Sequence, residues 1–195
     1  MRTVWVSDDV IGRDCLDAGA STGGFTDCLL QAGASRVAAV DVGYGQLAWQ
    51  LRNDPRVTVL ERTNARDLTK GVVPFVPHVV AADLSFISLR LVVPALAGVS
   101  APEADLVLLV KPQFEAAVAD VGRGGVVGDP AVWRAALDGV ARACRAEGAP
   151  PLGAMASPLL GPAGNVEFFL HARRGSAPVG VDLEGAIVEG EAVRR

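Results

Sequence analysis

The stretch Asp17-Ala18-Gly19-Ala20-Ser21-Thr22-Gly23-Gly24-Phe25 constrains this chain more than any other. Before it, Cys15-Leu16 ends a short apolar run. After it, Phe25-Thr26-Asp27-Cys28-Leu29-Leu30 carries apolar residues at helical spacing, so the glycines join a strand to a helix. Gly19 removes a side chain where the strand turns. Gly23 and Gly24 open a path for a ligand to the backbone N–H groups at the positive end of the helix. A second acid, Asp41, closes the apolar run Arg36-Val37-Ala38-Ala39-Val40, where a carboxylate can reach ribose hydroxyls from the tip of the second strand.

From Asp14 onward strand and helix signals alternate, which predicts a parallel sheet with helices on both faces. Strands are expected near 14–17, 36–40, 57–60, 78–82, 105–110, 151–156 and 166–172, and helices near 24–32, 45–52, 88–98 and 130–146. Ser88 is expected to cap the third helix, and Asp129-Pro130 to open the fourth. Two long loops, 112–128 and 157–165, interrupt this rhythm and point toward one end of the sheet. Residues 1–13 read as a short N-terminal segment, 14–174 as one domain, and 175–195 as a tail whose stretch 179–188 forms a strand or a helix.

The glycine loop does not spell a dinucleotide fingerprint, because the glycines after Gly19 stand four and five positions on and no G-x-G opens the turn. An acid at a strand end followed by G-x-S-T-G-G suits a ligand with an amino-acid ammonium and carboxylate plus a ribose. S-adenosylmethionine fits that description. Asp17 is expected near its ammonium, and the backbone of Ser21, Thr22, Gly23, Gly24 and Phe25 near its carboxylate. A net charge of −4 supplies no global attraction for a polyanion, so any nucleic-acid contact must be local or assisted. Three cysteines, Cys15, Cys28 and Cys144, with no C-x-x-C spacing, read as buried thiols of a reduced compartment. His78 and His171 form no cluster with them, so no metal site is expected. No apolar run reaches membrane-spanning length, and a cytoplasmic protein without a membrane partner is expected.

Three polar residues stand where apolar strands end or begin: Asp83 after His78-Val79-Val80-Ala81-Ala82, Lys111 after Leu106-Val107-Leu108-Leu109-Val110, and Glu167 within Val166-Glu167-Phe168-Phe169-Leu170. Each alone is equally an ordinary turn or solvent-facing residue. Lys111 tilts the balance, being one of only two lysines among 18 basic residues and placed at the end of the most apolar strand. In an open α/β sheet such strand ends converge on the ligand crevice.

The strings around Asp17, Asp41-Val-Gly-Tyr-Gly-Gln-Leu, Glu61-Arg-Thr-Asn-Ala-Arg, Ala82-Asp-Leu-Ser-Phe-Ile-Ser-Leu, Val110-Lys-Pro-Gln-Phe-Glu and Gly164-Asn-Val-Glu-Phe-Phe resemble the hemolysin A (TlyA) family over residues 14–173. These are ribosomal RNA 2'-O-methyltransferases with an FtsJ-like catalytic domain. The resemblance implies a Rossmann-like class I methyltransferase fold with a mostly parallel seven-stranded sheet. It implies S-adenosylmethionine bound by Asp17, Gly19, Ser21, Thr22, Gly23, Gly24, Phe25, Asp41, Val42, Gly43, Asn64, Ala65, Arg66 and Asp83, with Asn64 near the adenine. Asp83, Lys111 and Glu167 correspond to three members of the family's Lys-Asp-Lys-Glu tetrad, in which a lysine is the implied base. The first tetrad lysine and the basic S4 domain have no counterpart in these residues, since no lysine precedes Lys70. Three readings stay open: a 2'-O-methyltransferase acting on cytidine of ribosomal RNA or ribosomal subunits, weakly held through local arginines such as Arg90, Arg123 and Arg173; a cofactor-binding module with little or no catalysis; or an amino-group methyltransferase, to whose acid-and-aromatic motif Asp83-Leu84-Ser85-Phe86 is faintly similar, though without its Pro-Pro and with no role for Lys111 and Glu167.

Overall fold

Seven strands hydrogen-bond in the order β3-β2-β1-β4-β5-β7-β6. They are β1 Asp14–Ala18, β2 Arg36–Val40, β3 Val57–Leu60, β4 Val79–Ala82, β5 Asp105–Val110, β6 Pro151–Ala156 and β7 Phe168–Arg173. The computed structural model describes residues 10–194, so Val4-Trp5-Val6 and most of the expected N-terminal segment lie outside the described residues. The first five strands run parallel, and β7 inserts antiparallel between β5 and β6. This is the expected α/β arrangement. Its strands read as continuous apolar runs because helices cover both faces, as for β5, where all six residues are buried.

Side-chain alternation divides the core. Cys15, Val37, Val79, Ala81 and Val107 face helix α1 (Gly24–Gln31) through Leu29 and Leu30. Leu16, Ala38, Val80, Leu106 and Leu108 face α3 (Val93–Val99) and α5 (Pro130–Ala146). Along α5, Trp133, Ala136, Leu137, Val140, Ala141 and Cys144 are buried at i, i+3, i+4, i+7, i+8 and i+11, one face of a helix. Asp129 caps it by accepting from Ala131 N–H at 2.8 Å, and Pro130 takes the first helical position.

Several expectations need correction. The helix expected over 45–52 is only α2, Trp49–Arg52, because Gly45 turns through φ +71° and its N–H is taken by Glu61. The helix expected over 88–98 is a 3-10 turn, Leu89–Leu91, followed by α3. Pro94 has no N–H for the carbonyl of Arg90 and clashes with it, so one α-helix cannot cross this point. The loop 112–128 contains α4 (Pro112–Glu115) and two further 3-10 turns. Cys28 is exposed, while Cys15 and Cys144 are buried and their thiols are pushed up to about 12 by burial. Beyond residue 174, α6 (Leu183–Arg194) packs on the domain: Glu189 accepts from Ala156 N–H at 3.2 Å, and a Cβ at Gly190 would lie 3.0 Å from the Phe168 ring. No helix among the described residues is long and apolar enough to cross a membrane.

The chain winds outward from β1 through β2 and β3 on one side, then returns to place β4 and β5 on the other. The order therefore reverses between β1 and β4, the place where open α/β sheets form their crevice.

Candidate active site

Pairing of Ala18 with both Val40 and Ala82 sets Gly19, Asp41 and Asp83 level, each the first residue beyond its strand. Gly19 lies at φ +89°, and a Cβ on it would come within 2.0 Å of the Asp83 carbonyl oxygen. Its missing side chain thus serves the contact between two chain segments. Gly23 is required by its backbone conformation, φ +105°, which L side chains rarely adopt, whereas the space at Gly24 is open. Asp41 binds the corner together, accepting from Ser21 N–H at 2.8 Å and from Gly43 N–H at 2.7 Å. Asn64 accepts from Arg66 N–H at 3.1 Å and so fixes the 3-10 turn Ala65–Asp67.

These ends enclose a cavity of about 850 Å³, within the range of small-molecule sites. Of the residues expected at the cofactor, Gly19, Ser21, Asp41, Val42, Asn64, Ala65, Arg66 and Asp83 line it. Gly43 borders a small adjoining recess instead, and Thr22, Gly23, Gly24 and Phe25 form no part of the wall. Phe25 packs edge-on against Phe169 at 6.3 Å.

Asp17 stands behind the wall, fully buried. Its Oδ2 accepts from Thr26 Oγ1 at 2.7 Å, while Oδ1 is buried without a hydrogen-bond partner among the described residues. Burial pushes this carboxyl up to about 6, against the bonds from Thr26, and the charges of Asp83 and Asp41 add to the rise. A carboxyl whose folded value exceeds its ordinary 3.8 holds its proton more tightly in the folded chain. Its contribution to stability is therefore full below pH 3.8 and is lost as pH rises through about 6. Between pH 4 and 7 the ligand-free wild type should lose about 2 kcal/mol relative to Asp17→Asn. Urea midpoints of the two chains across that range measure it, and parallel curves would show that Asp17 does not titrate there.

The antiparallel ladder pairs Val110 with Phe168, so the next residues outward, Lys111 and Glu167, face each other just past it. Lys111 Nζ lies 2.5 Å from Asp83 Oδ1 and donates to Ser85 Oγ at 3.3 Å. Burial raises the Glu167 carboxyl; the Lys111 charge and a bond from Gln113 oppose that, and the Asp83 charge reinforces it. The loop 157–165 covers Glu167 closely, since a Cβ on Gly161 would sit 2.6 Å from Glu167 Oε1. Asn165 stitches this loop to the other long one, accepting from Val127 N–H and donating to Gly125 O, both at 2.9 Å.

Sequence reasoning singled out Asp83 and Lys111 as site residues but gave their neighbours no place in the site. Ser85, Phe86, Ser88 and Phe114 line the cavity, and Phe86 is 91% exposed at φ +63° with its ring 5.2 Å from that of Phe114. The available signal was adjacency to a charged residue at a strand end. Of the arginines expected to serve RNA, Arg90 is paired with Glu115, and Arg173 lies at the opposite end of the sheet, 3.7 Å from Asp105.

The family profile described as FtsJ-like methyltransferase matches residues 6–174. The chain belongs to that family. It is 59% identical over 164 residues to the 16S/23S rRNA (cytidine-2'-O)-methyltransferase TlyA of Mycobacterium tuberculosis, covering 84% of this chain and 61% of that protein. The chain therefore spans under two thirds of the length of that relative. Hemolysin A of Brachyspira hyodysenteriae is 41% identical over 163 residues, 83% of this chain and 68% of that protein. Among solved structures, a putative hemolysin from Lactococcus lactis superposes with a TM-score of 0.89 at 39% identity, over 93% of this chain and 89% of that one. The resemblance read from the sequence strings is thereby borne out at the level of the family.

Proposed function

We propose that this chain is the catalytic domain of an S-adenosylmethionine-dependent methyltransferase that modifies the ribose 2'-hydroxyl of cytidine in ribosomal RNA. The observation that carries this reading is the junction at Asp83. Its carboxylate lines the same cavity as Asp41 and Asn64 and is paired with Lys111, which faces Glu167.

The residues fit the cofactor. Asp41 offers a carboxylate at the height of a ribose, and the Asn64 amide N–H₂, with its carbonyl already engaged by Arg66, is left to donate to a base edge. Asp17 Oδ1, on the strand that leads into Gly19 and Ser21, is a buried acceptor without a partner among the described residues, suited to a cationic group. When bound, the cofactor supplies an electrophilic methyl group.

The chain's own work lies on the acceptor side. A ribose hydroxyl is a poor nucleophile until its proton has somewhere to go, and the Lys111 amine is the base in this arrangement. Asp83 fixes the amine from one side, and Ser85 accepts from it at 3.3 Å. Phe86 presents an exposed ring at the cavity mouth, a surface on which an unstacked base can lie.

The test is methyl transfer from labelled cofactor to ribosomal subunits, followed by alkaline hydrolysis. A 2'-O-methyl group blocks attack on the adjoining phosphodiester, so the label should appear in an alkali-resistant dinucleotide that begins with cytidine. Label on a base would refute the assignment. Cofactor binding by calorimetry with no transfer would favour the second reading, a binding module, which the tight Asp83–Lys111 pair supports because an engaged ammonium must first shed its proton.

A further inference from the structure

The acceptor-side groups hang from two different strands. Asp83, Ser85 and Phe86 follow β4, and Lys111 follows β5, so methyl transfer requires that these two segments keep one geometry. We propose that Glu115 is a positioning residue for this reaction: its carboxylate locks segment 83–88 onto the turn that begins at Lys111. The proposal rests on the methyl-transfer reading above and names a residue outside the charged cluster.

Glu115 ends α4, one helical turn beyond Lys111, and its side chain is 2% exposed. Oε1 accepts from Leu89 N–H at 2.6 Å, and Oε2 accepts from Ser88 Oγ at 2.5 Å and from Arg90 Nε at 3.1 Å. The Glu115 carbonyl accepts from Arg90 Nη2 at 2.9 Å. One carboxylate thus holds three successive residues, 88 to 90, where segment 83–88 ends. At the near end, Lys111 holds Asp83 and Ser85. Between them the rings of Phe86 and Phe114 meet at 5.2 Å. The contacts close a ring that runs along one segment and back along the other.

Two features point to geometry rather than cohesion as the purpose. A carboxylate this deeply buried is costly unless fully hydrogen-bonded, and an apolar side chain would fill the same space without that cost. What an apolar residue cannot do is fix the direction of the Leu89 N–H and the Ser88 hydroxyl. The held segment is also strained, since Phe86 stands at φ +63° without being glycine. Such a conformation persists only where its surroundings over-determine it, and it concentrates at functional positions.

The experiment compares wild type with Glu115→Ala, Glu115→Gln and Ser88→Ala in the full chain. It reads kcat and KM on ribosomal RNA, the cofactor dissociation constant, thermal midpoint, and amide exchange across 83–92. In Glu115→Ala, kcat should fall about 100-fold, the effect of misplacing a reacting group by about 1 Å, with KM and cofactor affinity within about threefold. Glu115→Gln keeps one acceptor for Leu89 N–H and loses the charge, so it should recover to within about tenfold of wild type. Leu89 exchange should quicken in the alanine variant and much less in the glutamine variant. Wild-type kcat in folded Glu115→Ala would overturn the proposal. Should that variant fail to fold, wild-type kcat in both Glu115→Gln and Ser88→Ala would overturn it instead. If wild type itself binds cofactor but transfers no methyl, the functional reading fails. Glu115 is then judged by exchange alone, and unchanged protection across 83–92 overturns its role.

Discussion

Lys111→Ala should reduce methyl transfer by about 100- to 10,000-fold while leaving the cofactor dissociation constant within about threefold. The separation follows from position. Lys111 contacts Asp83 and Ser85 and faces Glu167 across the end of the β5–β7 ladder, and it is not part of the cavity wall formed by Asp41, Asn64 and Ala65. Removing it also leaves Asp83 and the buried Glu167 without the cation between them, so a proton taken up by Glu167 would replace the lost charge. The fold should survive, because Val110 and Phe168 stay paired beneath the cluster. Lys111→Arg isolates the proton-accepting part: guanidinium keeps the positive charge beside Asp83 but cannot act as a base. Both variants should therefore bind cofactor, and both should fail in single-turnover methylation of ribosomal subunits. Transfer by the arginine variant at wild-type rate would show that Lys111 acts only as a charge.

The sheet was legible because its strands are buried on both faces and so appear as unbroken apolar runs, of which Asp105–Val110 is the clearest. Elements set by single backbone events were not. The turn at Gly45 and the missing N–H of Pro94 shorten two helices whose apolar spacing is otherwise sound. Helix α6 carries Leu183, Ala186, Ile187 and Gly190 at i, i+3, i+4 and i+7, yet its glycines and small residues weaken the signal.

At the site, residues that end strands could be found, since topology alone sends Asp41, Asp83 and Lys111 to one edge. Glu115 could not, because its bonds to residues 88–90 span 25 to 27 positions and depend on how β4 and β5 are registered. Asp17 was expected beside the cofactor's ammonium, and its depth could not be read from the sequence: it lies behind the wall against Thr26, with Leu16 and Ala18 also buried in a covered strand.

Gly19→Ala should destabilise the folded chain by about 4 kcal/mol or more, against a total of about 5 to 15 kcal/mol for a domain of this kind. Part of the cost is conformational, since a residue with a Cβ at φ +89° leaves the regions L-residues favour. The larger part is collision. The new methyl would stand 2.0 Å from the Asp83 carbonyl oxygen and 2.9 Å from its carbon, and neither is the free end of a flexible side chain. Asp83 is itself tied down, its N–H donating to Ala18 O at 3.0 Å, so relief requires β1 and β4 to part where the cavity and the charged cluster join. Gly24→Ala is the matched control. Nothing lies within 4 Å of its Cβ position, and it is the first residue of α1, where alanine is the better helix former. That variant should melt at or above the wild-type temperature. Thermal midpoints of the two variants without cofactor make the comparison, and a wild-type midpoint in Gly19→Ala would mean that the close approach of Gly19 to Asp83 does not hold the corner together. If Gly24→Ala keeps its stability yet loses cofactor affinity, the open space at Gly24 belongs to the ligand, and the two glycines divide the corner between folding and binding.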